Sequence, residues 1–198
     1  MSRTSHALGR LCAALLTALL ATALLPLAPA SARLPLEDFA DYQPASRCAP
    51  AAKPGARELS RWLVKRHGSH ASISRGCRRG SAVSSEHQEG RAIDWFADAG
   101  TKRGRAAARR VLDDLFAPDA DGNPAVKARR MGVMYVIWND RMYSAWRQFE
   151  PEPYLSSSCR NRRSCSKTLR HRDHVHVSLT RRAARGKTSW YVARDRRR

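Results

Sequence analysis

The spacing of apolar positions changes several times along the chain, and each change marks an element. From Leu11 to Leu25 the chain is apolar except at Thr17 and Thr22. Arg3 and Arg10 precede this run, and Ala28-Pro29-Ala30-Ser31-Ala32 follows it with small residues, which predicts an export signal over 1–32. A core of about fifteen apolar positions is short of the ~20 that a spanning helix needs. Residues 33–47 mix proline, acidic and polar residues and predict a linker. Leu59, Trp62 and Leu63 repeat at helical spacing over 56–66, with Gly68 placed to end that helix. A weak alternation over 71–77 predicts a strand, and the basic stretch 78–84 a turn. Ala92 to Ala97 reads as a buried strand with Asp94 on the face of Ala92 and Phe96. Ala108, Val111, Leu112, Leu115 and Phe116 form one apolar helical face, stopped by Pro118. A short helix is predicted over 124–130. A hairpin is predicted from 133–138 and 141–146, turning at Asn139-Asp140, its aromatic residues serving as core and cleft wall. Residues 147–170 read as one long polar loop bordering the site, and 174–179 as a strand. Asp119 to Asn123 lacks the ligands of a calcium loop and is expected to be a surface turn.

With the signal removed, the chain is long enough for one domain with a real core, placed at 48–190. No later stretch is apolar enough to span a bilayer, so a soluble, secreted or cell-wall-associated monomer is expected. Four cysteines lie beyond the signal, an even number that suits disulfides outside the cytoplasm and permits three connectivities. Pairing of sequence neighbours, Cys48–Cys77 and Cys159–Cys165, is the favoured one. The whole sequence carries a formal charge of +20, with 31 Arg against 6 Lys. Such a surface attracts anionic partners, among which cell-wall polymers qualify; the Arg excess is also what codon bias in a GC-rich genome produces. No recognised nucleic-acid module is present, and no specific nucleic acid is expected. Residues 191–198 are expected to be a solvated basic tail.

The chemistry concentrates in two segments. Ser85-Glu86-His87-Gln88-Glu89-Gly90-Arg91-Ala92-Ile93-Asp94 places an imidazole and a carboxylate seven positions apart. Far downstream, His171-Arg172-Asp173-His174-Val175-His176 adds three more imidazoles. On an extended strand His174 and His176 share one face. Two His and one Asp make up the N/O donor set of a catalytic zinc site, with one position left open. His67 and His70 fit no ligand spacing and are expected at the surface. Ser85 and Arg75 are candidate substrate contacts, Arg75 for a carboxylate.

SxHxxGxAxD followed by a C-terminal HxH resembles the superfamily of D-Ala-D-Ala metallopeptidases, murein endopeptidases and the hedgehog signalling domain. Ser85, His87, Gly90, Ala92 and Asp94 match the first motif, and His171-x-x-His174-x-His176 is similar to the triple-His pattern of the penicillin-insensitive murein endopeptidases. A group of exported, uncharacterised bacterial domains is similar as well. The resemblance implies an α+β single domain. In it a small, mainly antiparallel sheet carries helices on one side and a zinc site in a cleft. It implies Zn2+ held by His87, Asp94 and His176, with His174 as general base or stabiliser of the tetrahedral intermediate and His171 as an accessory residue. The Glu that the carboxypeptidase branch places near a Trp and the last His has no counterpart here. Asp173, next to His174 on a strand, is expected to face away from the metal, where it can orient a His ring.

The expected function is therefore an exported zinc peptidase that hydrolyses an amide bond in peptidoglycan peptides through a metal-activated water. Two other readings remain: a catalytically silent, zinc-containing module that binds the cell wall, and a secreted metal-dependent nuclease.

Overall fold

β-Branched and aromatic residues fill Ala92–Phe96, Val133–Trp138 and His174–Leu179, and these become the three central strands of a sheet. The computed structural model describes residues 34–73, 75–77, 80 and 82–197. The expected export signal lies outside them.

In chain order the elements are α1 (Pro54–His67), β1 (Ala71–Ser72), β2 (Ala92–Phe96), α2 (Lys102–Phe116), α3 (Val126–Met131), β3 (Val133–Trp138), β4 (Arg141–Ser144), β5 (Pro151–Pro153), β6 (His174–Leu179), α4 (Arg181–Ala184) and α5 (Ser189–Asp195). The sheet runs β1-β2-β6-β3-β4-β5 with every neighbouring pair antiparallel. The fold is α+β, as expected. Strand alternation sorts the side chains: Ile93, Trp95, Val136, Val175, Val177 and Leu179 join one core with Leu59 and Leu63 of α1 and Val111 and Leu115 of α2. The opposite face is left for Asp94, His174 and His176.

The helices start and stop for local reasons. Pro54 opens α1, where its missing N–H costs nothing, and Lys65, Arg66 and His67 sit in its last turn against the negative end of the helix dipole. The Thr101 side chain accepts from the Gly104 N–H and caps α2. Asn139 and Asp140 both take positive φ (50° and 63°), the conformation that a tight hairpin turn between β3 and β4 requires.

Three segments differ from expectation. Residues 34–47 contain no helix or strand, yet they are pinned down rather than left as a free linker. Arg129 Nε donates to the Glu37 carbonyl, Ser189 donates through both N–H and hydroxyl to the Glu37 carboxylate, and Phe39 packs 6.0 Å from Phe149. Residues 191–195, expected in the tail, complete α5: Tyr191 is buried, Trp190 meets Trp62 edge-on, and Arg194 Nε donates to Glu58 at 3.0 Å. Within 147–170, β5 adds an edge strand despite two prolines, which an edge tolerates because the missing N–H leaves no partner unpaired. The strand expected over 71–77 is only two residues long, Ala71–Ser72.

Both expected disulfides form, Cys48–Cys77 and Cys159–Cys165. Among the described residues no helix is long and apolar enough to cross a membrane.

Glu89 is the rivet for the N-terminal strap. Its carboxylate accepts from Ser46 N at 3.0 Å and from Arg91 Nε at 2.5 Å, while fully buried Arg91 also donates to the carbonyls of Gln43 and Leu179. Burial alone would raise the Glu89 pKa, but Ser46 and Arg91 overcome it and lower it from 4.5 to about 2. A depressed carboxylate stabilises the fold above its unfolded pKa and loses that stabilisation as the pH falls toward 2. Glu89→Gln is expected to cost about 2 kcal/mol at neutral pH. The gap from wild type should close below pH 4 in urea unfolding; a gap independent of pH would contradict this role.

Candidate metal centre

Ser85 to Gly90 form a short 3-10 turn in which the Ser85 hydroxyl accepts from the His87 N–H and Gly90 closes the turn at φ 65°. The turn presents the His87 ring to the open face of β2. Asp94 on β2 lies directly opposite His176 on β6 in the antiparallel register, and Phe96 lies opposite His174. Sequence-distant side chains are thereby delivered to one spot by strand pairing.

Three donor atoms converge there. His87 Nε2 and His176 Nδ1 each lie 3.0 Å from Asp94 Oδ1, and 3.1 Å from one another. Four-coordinate zinc, with bonds of about 2.0 Å, places its donors about 3.3 Å apart, so this triangle is close to one face of such a tetrahedron. All three residues are largely buried, with His87 3% and His176 5% exposed.

The bond at the far nitrogen of each ring bears on which nitrogen is free. The Ile73 carbonyl, 2.5 Å from His87 Nδ1, can only accept, so that nitrogen carries the proton and Nε2 keeps its lone pair. His176 Nε2 lies 2.9 Å from Ser178 Oγ, which can accept its proton and leave Nδ1 as a lone pair. Behind it the Glu86 carboxylate accepts from Tyr135 Oη at 2.6 Å. With His87 Nδ1 and His176 Nε2 protonated, two imidazole lone pairs and a carboxylate oxygen converge at 3.0–3.1 Å, and the donor set fits a divalent ion. Without an ion, a ring proton shared with Asp94 holds the cluster together, and metal binding displaces it.

Before an ion binds, burial alone would raise the Asp94 pKa, but hydrogen bonds and charge from His176 and His87 hold it well below the usual carboxylate range, so the carboxylate is ionised and available to a cation. Burial lowers the His176 pKa against the pull of Asp94, which favours the neutral, ligating ring.

His174 and His171 line the same place. His174 Nε2 is 3.4 Å from Asp94 Oδ1, and its Nδ1 donates to Asp173 Oδ1 at 2.6 Å. Asp173 thus faces away from the three donors and orients a ring, and Thr168 Oγ1 donates to its other oxygen. His171 takes φ 48° and sits 4.9 Å from the His174 ring; its Nδ1 is buried with no partner among the described residues. Burial, reinforced by His176 and His174, lowers the His171 pKa to about 2, so this ring is neutral. His171, His174 and His176 make a second group whose donor atoms lie within 4.8 Å of one another.

Of the two candidate substrate contacts, Ser85 is occupied as a cap. Arg75 donates its backbone N–H to the His87 carbonyl at 3.3 Å and leaves its side chain exposed. Glu86, Tyr135 and Ser178 were not singled out from the sequence. Ser178 was findable, two residues beyond His176 on the same strand face. Tyr135 comes from a third strand, where the hairpin pattern gives it only as core or cleft wall. His67 is partly buried against Asp114 rather than free at the surface.

Asp173→Asn tests the orienting bond. An amide at this position can offer its NH2 to His174 Nδ1 and favour the other tautomer. Turnover is expected to fall about 10–100-fold, with metal content unchanged. Equal turnover in the variant would rule out an orienting role.

Residues 48–161, over half of the chain, match the family model described as VldE, C-terminal domain. The match takes in His87 and Asp94 and stops before β6. No curated protein and no solved structure matches the chain. On the extent of that match, the chain belongs to the VldE C-terminal domain family.

Proposed function

We propose that this chain is an exported zinc-dependent peptidase that hydrolyses an amide bond in peptidoglycan peptides. The observation that carries the reading is the converging triangle of His87 Nε2, Asp94 Oδ1 and His176 Nδ1, each ring aimed by a bond at its other nitrogen. Two imidazoles and one carboxylate suit zinc better than calcium or magnesium, which prefer all-oxygen sets. When bound, the ion supplies Lewis acidity at a scissile carbonyl and a water that ionises near neutral pH.

The protein's own groups supply the rest. His174 is the candidate base: its Nε2 faces the donors, and the Asp173 carboxylate behind Nδ1 stabilises the ring once Nε2 has taken a proton. The same nitrogen can then return that proton to the leaving amine. His171, neutral and grouped with His174 and His176, is an accessory ring that adds no charge beside the donors. Exposed Arg75, whose backbone N–H bonds the His87 carbonyl, is the candidate contact for a peptide carboxylate. Two disulfides accord with an extracytoplasmic setting, and the basic surface with retention on anionic wall polymers.

The test is metal analysis of the mature protein, followed by digestion of purified sacculi with and without a zinc chelator. Chelator-sensitive release of new amino groups is expected. Stoichiometric zinc with no release from any sacculus preparation would overturn the peptidase reading.

A further inference from the structure

Four large apolar side chains are exposed among the described residues, and two of them touch. Tyr42 (53% exposed) and Trp146 (38% exposed) lie with ring centroids 5.4 Å apart and planes inclined at 59°. Buried Tyr135 stands against both, 6.4 Å from Tyr42 and 6.2 Å from Trp146. Its other neighbour is the metal-centre residue His176, stacked at 5.6 Å. An open aromatic corner thus begins two ring-to-ring steps from the donor triangle.

Both exposed rings are held in place from below. Gln43, next to Tyr42, donates its N–H to Met134 Sδ and accepts from Arg181 N through its side chain and from Arg91 through its carbonyl. Trp146 rides on a 3-10 turn whose preceding residue, Ala145, is buried. Gln148 and Phe149 follow with positive φ (54° and 64°), an unfavourable pair for non-glycine residues. Phe149 is buried and stacks on Phe116 at 4.7 Å, which holds that reversal in place. A strained turn and a pinned strap converge to keep two amphipathic rings in solvent, the opposite of what burial of apolar area favours.

We propose that Tyr42 and Trp146 form a carbohydrate subsite that stacks on a pyranose ring of the glycan strand bearing the substrate peptide. The C–H face of a pyranose is flat and apolar and matches an indole, while its hydroxyls remain at the rim to meet water and the Tyr42 hydroxyl. Pre-organised rings bind such a face without first losing rotamer freedom. This rests on the peptidoglycan reading of the metal centre, and it accounts for how a small domain would place a cross-linked polymer over one amide.

The experiment separates the two readings. Tryptophan fluorescence of the mature protein is titrated with a peptide-free oligomer of β-1,4-linked N-acetylglucosamine, alongside Trp146→Ala, Tyr42→Ala and His87→Ala; Trp146→Ala is followed by calorimetry. Saturable binding is expected for wild type and equally for His87→Ala, weakened about tenfold in Trp146→Ala and in Tyr42→Ala. No binding by wild type, or unchanged affinity in both aromatic variants, would overturn the subsite whatever the sacculus digestion shows. Weakened binding of a sugar-free stem-peptide dimer in Trp146→Ala, with oligosaccharide affinity unchanged, would assign the corner to peptide and equally overturn it. Absence of turnover on sacculi by the wild-type protein, with oligosaccharide binding intact, would count against the peptidase reading alone.

Discussion

On the metallopeptidase reading, alanine in place of His87 or His176 is expected to yield a folded protein that retains no divalent ion and hydrolyses nothing above background. Each substitution removes one of three converging donors and leaves the other two, 3.0 Å apart, unable to enclose an ion. The loss should exceed the 10–100-fold seen when only a group behind a ligand is changed, so metal affinity should fall by more than about a hundredfold. His174→Ala is the control: it keeps the triangle, so the ion stays, while turnover drops about 10²–10⁴-fold with the loss of the proton-transfer group. Metal content by plasma emission and turnover on sacculi distinguish the outcomes. Metal retained at wild-type affinity in His87→Ala would mean that the ion is held elsewhere, the His171-His174-His176 group being the first place to look.

Gly90→Ala should be the most damaging change that removes no donor. Gly90 takes φ 65°, and a Cβ built there falls 2.1 Å from the Ala51 carbonyl oxygen and 2.8 Å from its carbon. Backbone lies on both sides, since Ala49 N–H donates to the Gln88 carbonyl and Lys53 N–H to that of Gly90. Nothing in the contact is a flexible side chain that could swing aside. The expected cost is about 3 kcal/mol or more, combining a left-handed position with an overpacked backbone. Displacement of the 3-10 turn would also carry His87 away from Asp94. Thermal unfolding and metal affinity should therefore fall together; a variant as stable as wild type would show that the 49–53 segment yields easily.

The motif residues were legible because strand alternation and a short turn are local rules. His174 and His176 had to share a face once β6 was extended, and antiparallel pairing with β2 then set His176 opposite Asp94. The groups behind the rings were less so. Asp173 was expected to face away and does, but the partners of His87 and His176 are a main-chain carbonyl at Ile73 and the Ser178 hydroxyl. No spacing rule announces a carbonyl. β5 was missed because Pro-Glu-Pro reads as loop unless its edge position is known, and the strap because Glu37 and Gln43 look like ordinary polar surface until Arg129, Ser189 and Arg91 are folded against them. Of the aromatic hairpin expected as core and cleft wall, Tyr135 is buried while Trp146 is 38% exposed.

The Cys48–Cys77 bridge ends four residues beyond Ile73, whose carbonyl aims the His87 ring, and two beyond Arg75, which bonds the His87 carbonyl. A newly synthesised chain with both thiols still reduced would hold that cradle by hydrogen bonds alone. On the metallopeptidase reading, capture of an ion would then depend on this bridge, and a chain with both thiols reduced is expected to bind metal more weakly than the oxidised one.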